Sequence, residues 1–382
     1  MEPDEPRRWF RRPVPLAGEI DQPVWIALVV AIVLLIPTGT RPGGETLAAA
    51  AAVAAVLIVA TRWRVAPLAI VVLLVVGVGL RASIRTHFGS DVLDVVASAI
   101  RHVLLGENPY GVGYTVSRPE GAPYAYGPLA LLWYAPVQND AWRMELLGAC
   151  LVLAGLAIRG KLLGLAIYAI GPTLVATSGD GSNDTSAGVL LLATFIVARR
   201  RPALGAVLLA ATVAFKPYAA AWVPAFFLWA GWGAIVAFLA ASVVFWFPVL
   251  FIWGVSSFLK SLDMADKIHD VTYWSFGELY ESVIHRGAPR ELLNSLRLAL
   301  GVITAVLTLR WSKSLDGVIL AGTLVYLVTL FMGYWSTYAY FAAIGPVLCW
   351  RIDDWLHLPT RPLVQLDGDA RVDSGDRKVA AT

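Results

Sequence analysis

The chain has 382 residues, of which 58% are hydrophobic and only 15% charged. A soluble domain of this composition would lack the polar surface to cover itself, and the apolar residues fall in blocks of bilayer length. The net charge of +3 gives no reason to expect nucleic acid as a partner. Cys150 and Cys349 sit inside apolar segments, with neither metal-ligand spacing nor the number a disulfide framework needs.

The sequence predicts an all-α polytopic membrane protein. Residues 1–23, "MEPDEPRRWFRRPVPLAGEI" and the three that follow, are too polar and Pro-rich for a cleaved signal peptide and read as a cytoplasmic arm. About twelve transmembrane helices are expected within 24–351, at 24–39, 46–61, 65–81, 144–158, 162–178, 185–198, 202–216, 218–231, 233–253, 294–309, 316–333 and 336–351. Residues 352–382 read as a disordered cytoplasmic tail. No tandem repeat and no linker divides the chain.

Orientation follows from the basic residues. With Arg7, Arg8, Arg11 and Arg12 inside, Arg62, Arg64, Arg159, Lys161, Arg199, Arg200, Arg201, Arg310, Lys313 and Arg351 fall on the same side. Both termini are then cytoplasmic, in the cell (plasma) membrane. This requires "PLALLWYAPVQ", 128–138, not to cross; it is too short to span and reads as an interfacial helix. Three outer loops result, 82–143, 178–184 and 254–293. The inner turns are short and no Walker-type phosphate loop is present, so chemistry is expected on the extracytoplasmic face.

The first outer loop holds "GSDVLDVVASAIRHVLLGENPY", 89–110. Val92, Val95, Val96, Ala99, Ile100, Val103 and Leu104 recur at helical spacing, with Asp91, Asp94, Ser98, Arg101 and His102 opposite. This is an amphipathic helix, with Ser90 as a candidate cap and Gly106 as its end. The plainer reading of its two acids is a wet first turn favoured by the helix dipole. The sharper one is a carboxylate at the mouth of the membrane domain, able to take a proton from a hydroxyl.

That run, followed by "YAYGPLALLWYAP" and by Lys216-Pro217 in "AFKPYAAAWVPAFFLW", resembles the GT-C glycosyltransferases. Within them it looks most like glycosyltransferase family 87, the polyprenol-phosphate-mannose-dependent mannosyltransferases of actinobacteria. The resemblance covers about residues 80 to 350. It implies a sugar, mannose by default, moved from a polyprenyl-phosphate donor to a lipid-linked or cell-envelope glycan acceptor, with membrane lipids as surroundings. It makes Asp91 the general base. This chain departs from the family pattern in placing the acid after the third span, in "GDGSND" where relatives write G-Q, and in "YGPL" where they write Y-P-P-L.

The remaining candidates are substrate contacts. Asp94 is a fallback base or hydroxyl ligand, and Tyr126 belongs to the "YAYGPL" element. Lys216 can touch the donor phosphate or simply snorkel; Arg101 and His269 are further partners for that phosphate. Asp180, Asn183 and Asp184 are explained by turn chemistry alone, or by bonds to sugar hydroxyls, or by a divalent cation, the only cofactor considered. Tyr334 and Trp335 can stack on sugar rings, although interfacial aromatic belts share that composition. The alternatives are a secondary transporter or lipid flippase, which more often carries repeats and mid-membrane binding groups, and a non-catalytic scaffold.

Overall fold

A computed structural model describes residues 25–36, 49–57, 65–84, 90–272 and 274–356. The N-terminal arm, the turn at Arg62 and Arg64, and the tail beyond 356 lie outside the described residues. Among the described residues the chain is all helical; its one strand-like feature is an isolated bridge between Gly113 and Pro123.

The helices are α1 (Trp25–Leu34), α2 (49–57), α3 (Ala66–Ser83), α4 (Val92–Leu104), α5 (Pro128–Tyr134) and α6 (Trp142–Ile158). Then come α7 (Leu162–Ile170), α8 (Pro172–Ala176), α9 (Asp184–Ala198), α10 (Pro202–Phe215), α11 (Val223–Ala230) and α12 (Trp232–Phe247). The last are α13 (Val255–Ile268), α14 (Phe276–Ile284), α15 (Arg290–Thr308), α16 (Leu315–Phe331) and α17 (Ala339–Trp355).

Each of the twelve apolar segments contains helix within its described residues, although 162–178 is split in two and 218–231 begins as a 3₁₀ segment. Among the described residues, three stretches are long and apolar enough to cross a bilayer alone: Ala66–Ser83, Trp232–Trp253 and Arg290–Trp311. Asp184–Ala198, Pro202–Phe215 and Leu315–Phe331 are apolar but shorter. Proline explains two of the interruptions. Pro172 begins α8 after a one-residue break at Gly171, and Pro217 opens a 3₁₀ segment, Pro217–Trp222, ahead of α11. A proline has no N–H to give the preceding turn.

Helix α9 forms the centre, packed on α10 and α17, which pack in turn on α12 and α7. Their contact faces are Ala- and Gly-rich, which lets backbones approach closely. By contrast α3, α12 and α15 leave Val75, Val244 and Val302 exposed, as a lipid-facing surface would.

The seven-residue α5 is packed rather than peripheral, with Pro128, Ala130, Leu131 and Tyr134 buried against α4, α10 and α12. In α4 the apolar side is buried as far as Ile100, while Leu104 near its end, Asp94 and Arg101 are exposed. Gly106, at φ 78°, ends the helix.

At the other end of the body, Arg351 donates to both Asp316 oxygens (2.8 and 3.1 Å), and Asp354 bonds both Arg351 and Lys161. Asp353 accepts from the backbone N–H groups of Leu163 (3.0 Å) and Gly164 (2.8 Å), capping α7. Helix α17 therefore runs to Trp355, beyond the expected end at 351, and residues 352–355 belong to the packed body.

Candidate functional site

The loop between α8 and α9 holds α4 in place. Ser90 N donates to Asp180 O (2.6 Å) and Leu93 N to Gly181 O (2.9 Å), so two donors at the start of α4 find backbone acceptors. Gly181 sits at φ 90°, and a Cβ there would stand 2.3 Å from Ser90 O. Only glycine meets both conditions. The seam puts Asp91 at the N-cap position of α4, where its Oδ2 accepts from Arg118 N at 2.5 Å. Ser90 contributes a 3.3 Å bond from Val92 N to its hydroxyl.

The "GENPYG" element acts as a tether. Asn108 Oδ1 accepts from Tyr110 N (2.9 Å) while its Nδ2 donates to Trp253 O (2.9 Å). Gly111 N donates to Ser261 Oγ (2.8 Å), and the Tyr110 hydroxyl to Tyr126 O (3.0 Å). In "YGPL", Gly127 N donates to Phe215 O (3.2 Å), and a Cβ on Gly127 would lie 2.0 Å from Ala214 O. That contact brings Tyr126 beside the end of α10. There Lys216 Nζ lies 5.4 Å from the Tyr126 ring centroid, 5.0 Å from that of Tyr218 and 5.8 Å from that of Tyr340.

These segments enclose a cavity of about 240 Å³. Ser90 and Asp91 line it from α4, Arg118 and Tyr126 from the tether loop, and Asp180, Ser182 and Asp184 from the seam and α9. Lys216 and His269 add two more elements, and Trp335, Thr337 and Tyr338 from the turn before α17, with Tyr340 in its first turn, close it. Lys216 is not free: Nζ bonds Asp184 Oδ1 at 2.7 Å, and the Tyr218 hydroxyl donates to the same oxygen at 2.5 Å. Asp180 accepts from Ser182 N (2.8 Å) through Oδ1, an Asx turn, and from the Tyr338 hydroxyl (2.7 Å) through Oδ2. Burial raises the Asp180 pKa, with those bonds opposing.

The His269 ring stacks on Trp335, centroids 4.6 Å apart and planes at 14°. Burial lowers its pKa, opposed first by Asp91. Burial thus favours the neutral ring over the cation. Arg290 anchors this loop by donating to the carbonyls of Lys267 and His269 (2.8 Å for the latter), and it covers the Tyr334 ring at 4.3 Å. Tyr334 thus lies behind the loop rather than in the cavity.

Asp94 and Arg101 face elsewhere. Both line a second cavity of about 470 Å³, with Arg81, Asp140 and Trp142, which meets the first at Ser90 and Asp180. Arg101 Nη2 donates to Ser98 Oγ at 2.8 Å. The smaller cavity is the stronger candidate because buried polar groups converge on it from several chain segments. Asn183 is fully buried, with neither amide atom hydrogen-bonded to a described residue, and lines neither cavity. Among the described residues no group of three or more His, Cys, Asp or Glu side chains is arranged to hold a metal ion.

Of the expected residues, then, Asp91, Tyr126, Asp180, Asp184, Lys216, His269 and Trp335 share one cavity. Sequence reasoning missed Arg118, Ser182, Thr337, Tyr340 and the anchoring role of Arg290. The aromatic run "YWSTYAY" was the only signal for Tyr340. Compared with known proteins, the chain matches no family model, and no curated protein or solved structure matches it.

Proposed function

We propose that this chain is an integral membrane glycosyltransferase that moves a sugar, mannose by default, from a polyprenyl-phosphate donor to a lipid-linked or cell-envelope glycan acceptor. The observation that carries the reading is that Asp91 shares a polar cavity, at one end of an apolar helical body, with the Lys216–Asp184 pair and the His269–Trp335 stack.

In this reading Asp91 takes the proton of an acceptor hydroxyl as its oxygen bonds the anomeric carbon. The bond from that carbon to the phosphate oxygen breaks, and polyprenyl phosphate leaves with the electron pair. Lys216 arrives already paired with Asp184, so the two together add no net charge. Positive charge for the departing phosphate comes from Arg118, which lines the cavity, and from His269 once an incoming phosphate favours its protonation. Tyr126 and Trp335 offer ring faces to the sugar. The same reading makes the protein a plasma-membrane enzyme with about twelve crossings, cytoplasmic termini and the cavity on the outer face.

The test is a donor screen on the full chain in lipid nanodiscs, with polyprenyl-phosphate-mannose first and a glycolipid acceptor. Release of polyprenyl phosphate that depends on the acceptor supports the reading. Counterflow of a labelled solute in vesicles, without release from any donor, favours a transporter instead.

A further inference from the structure

A third cavity, of about 640 Å³, lies at the opposite end of the same helices. Helix α9 starts at Asp184 in the Asp91 cavity and is followed by Arg199 and Arg200 in this one. At 1.5 Å per residue the two ends stand about 22 Å apart. The cavity opens between α6, α9 and α17.

Its chemistry is two-sided. The walls are apolar: Val152, Leu156, Leu192 and Trp350 lie within, and Leu151 (58% exposed) and Ile196 (45% exposed) stand at the lip. The mouth is basic. Lys161 and Arg351 bind carboxylates, but Arg159, Arg199 and Arg200 are exposed and have no ion-pair partner among the described residues. Asp354 is the one acid among the described residues that line the cavity, and it is already shared by Lys161 and Arg351. Basic residues at inner helix ends are expected from membrane insertion alone. A hollow of this size directly beneath them, walled by aliphatic side chains and open sideways, is not.

We infer that this cavity binds an anionic phospholipid, its phosphate at Arg159, Arg199 and Arg200 and an acyl chain along the α6–α9 wall. A free phosphate would satisfy the arginines but leave the apolar wall uncovered; a zwitterionic lipid would cover the wall but offset its phosphate with its own cation. The inference rests on the helical body being membrane-embedded and not on the transfer reaction.

The test is native mass spectrometry of the detergent-solubilised full chain, titrated with phosphatidylglycerol, phosphatidylcholine or inorganic phosphate. Wild type should retain phosphatidylglycerol at least about tenfold more tightly than phosphatidylcholine. R199Q/R200Q should lose that preference, whereas R310Q/K313Q, which removes the same charge from another basic turn, should keep it. A193F keeps every charge but fills the wall, and it should weaken phosphatidylglycerol binding. Equal loss in the two double variants would overturn the site in favour of a diffuse charge effect. Displacement of the lipid by millimolar inorganic phosphate, or full binding by A193F, would overturn the lipid assignment.

Discussion

Lys216 Nζ lies 2.7 Å from Asp184 Oδ1, and both side chains are almost wholly buried, at 2% and 3% exposure. The two residues close the ends of neighbouring helices, α10 and α9, beside the Asp91 cavity. Removing one partner strands the other's charge where little water reaches it. Lys216→Met and Asp184→Asn should each cost about 3–5 kcal/mol, and the double variant less than their sum. Thermal unfolding of the four proteins in one detergent checks this, and strict additivity would mean that the two groups do not interact.

Asp91 and Asp94 should separate functionally. Asp91→Asn should lower donor turnover by about 10²–10⁴-fold, the range for loss of a general base, with melting temperature retained. Asp94 faces the other cavity, so Asp94→Asn should change turnover by less than about tenfold. Initial rates of polyprenyl-phosphate release decide. Unchanged turnover in Asp91→Asn removes that residue from the chemistry.

Gly181→Ala should displace the start of α4. The new methyl would meet Ser90 O in a left-handed backbone, costing about 1–3 kcal/mol. Because that seam positions Asp91, turnover should fall in molecules that remain folded. Fluorescence-detected gel filtration and a rate measurement on the same sample separate the two effects.

The His269 ring predicts a pH dependence. Its pKa is lowered from the ordinary 6.5 by burial, so the unfolded chain binds the proton more readily than the folded one. The stability it contributes is complete above 6.5 and is lost as pH falls through the folded pKa. Asp91, Asp266 and Asp270 oppose the lowering and Arg290 adds to it. Melting temperature should drop as pH falls below 6.5, and the drop should be smaller in His269→Gln. Parallel curves for the two proteins would show that the ring does not titrate differently on unfolding.

Single cysteines can test the orientation. In a chain with Cys150 and Cys349 replaced, Glu120→Cys should react with an impermeant maleimide from outside intact cells. Lys313→Cys should react only after permeabilisation. The reverse pattern would put the Asp91 cavity in the cytosol.

Much of the helical layout was legible because apolar block length and proline position are local properties. The place of Asp91 at the head of a helix was legible too, since it directly precedes an amphipathic run. What escaped reading was pairing across the chain. Nothing in "AFKPY" says that Lys216 meets Asp184, because that contact depends on how α9 and α10 pack. The divergence of Asp91 from Asp94 was equally hidden. Three residues apart on a helix they would point within about 60° of each other, but Asp91 is an N-cap residue with ψ near 0°, and its side chain leaves the helical pattern. The tether loop was read for chemistry, whereas Asn108 and Tyr110 do mechanical work.

The walls of the Asp91 cavity are contributed by residues from Ser90 to Tyr340, the last of them at the start of the final described helix. A ribosome delivers these parts in order. When Asp184 and Lys216 have met, the chain still lacks His269 and the Trp335–Tyr340 closure. A nascent chain paused before α17 can hold its charge pair yet lacks the Trp335–Tyr340 wall, so the chamber closes only after α17 has been made.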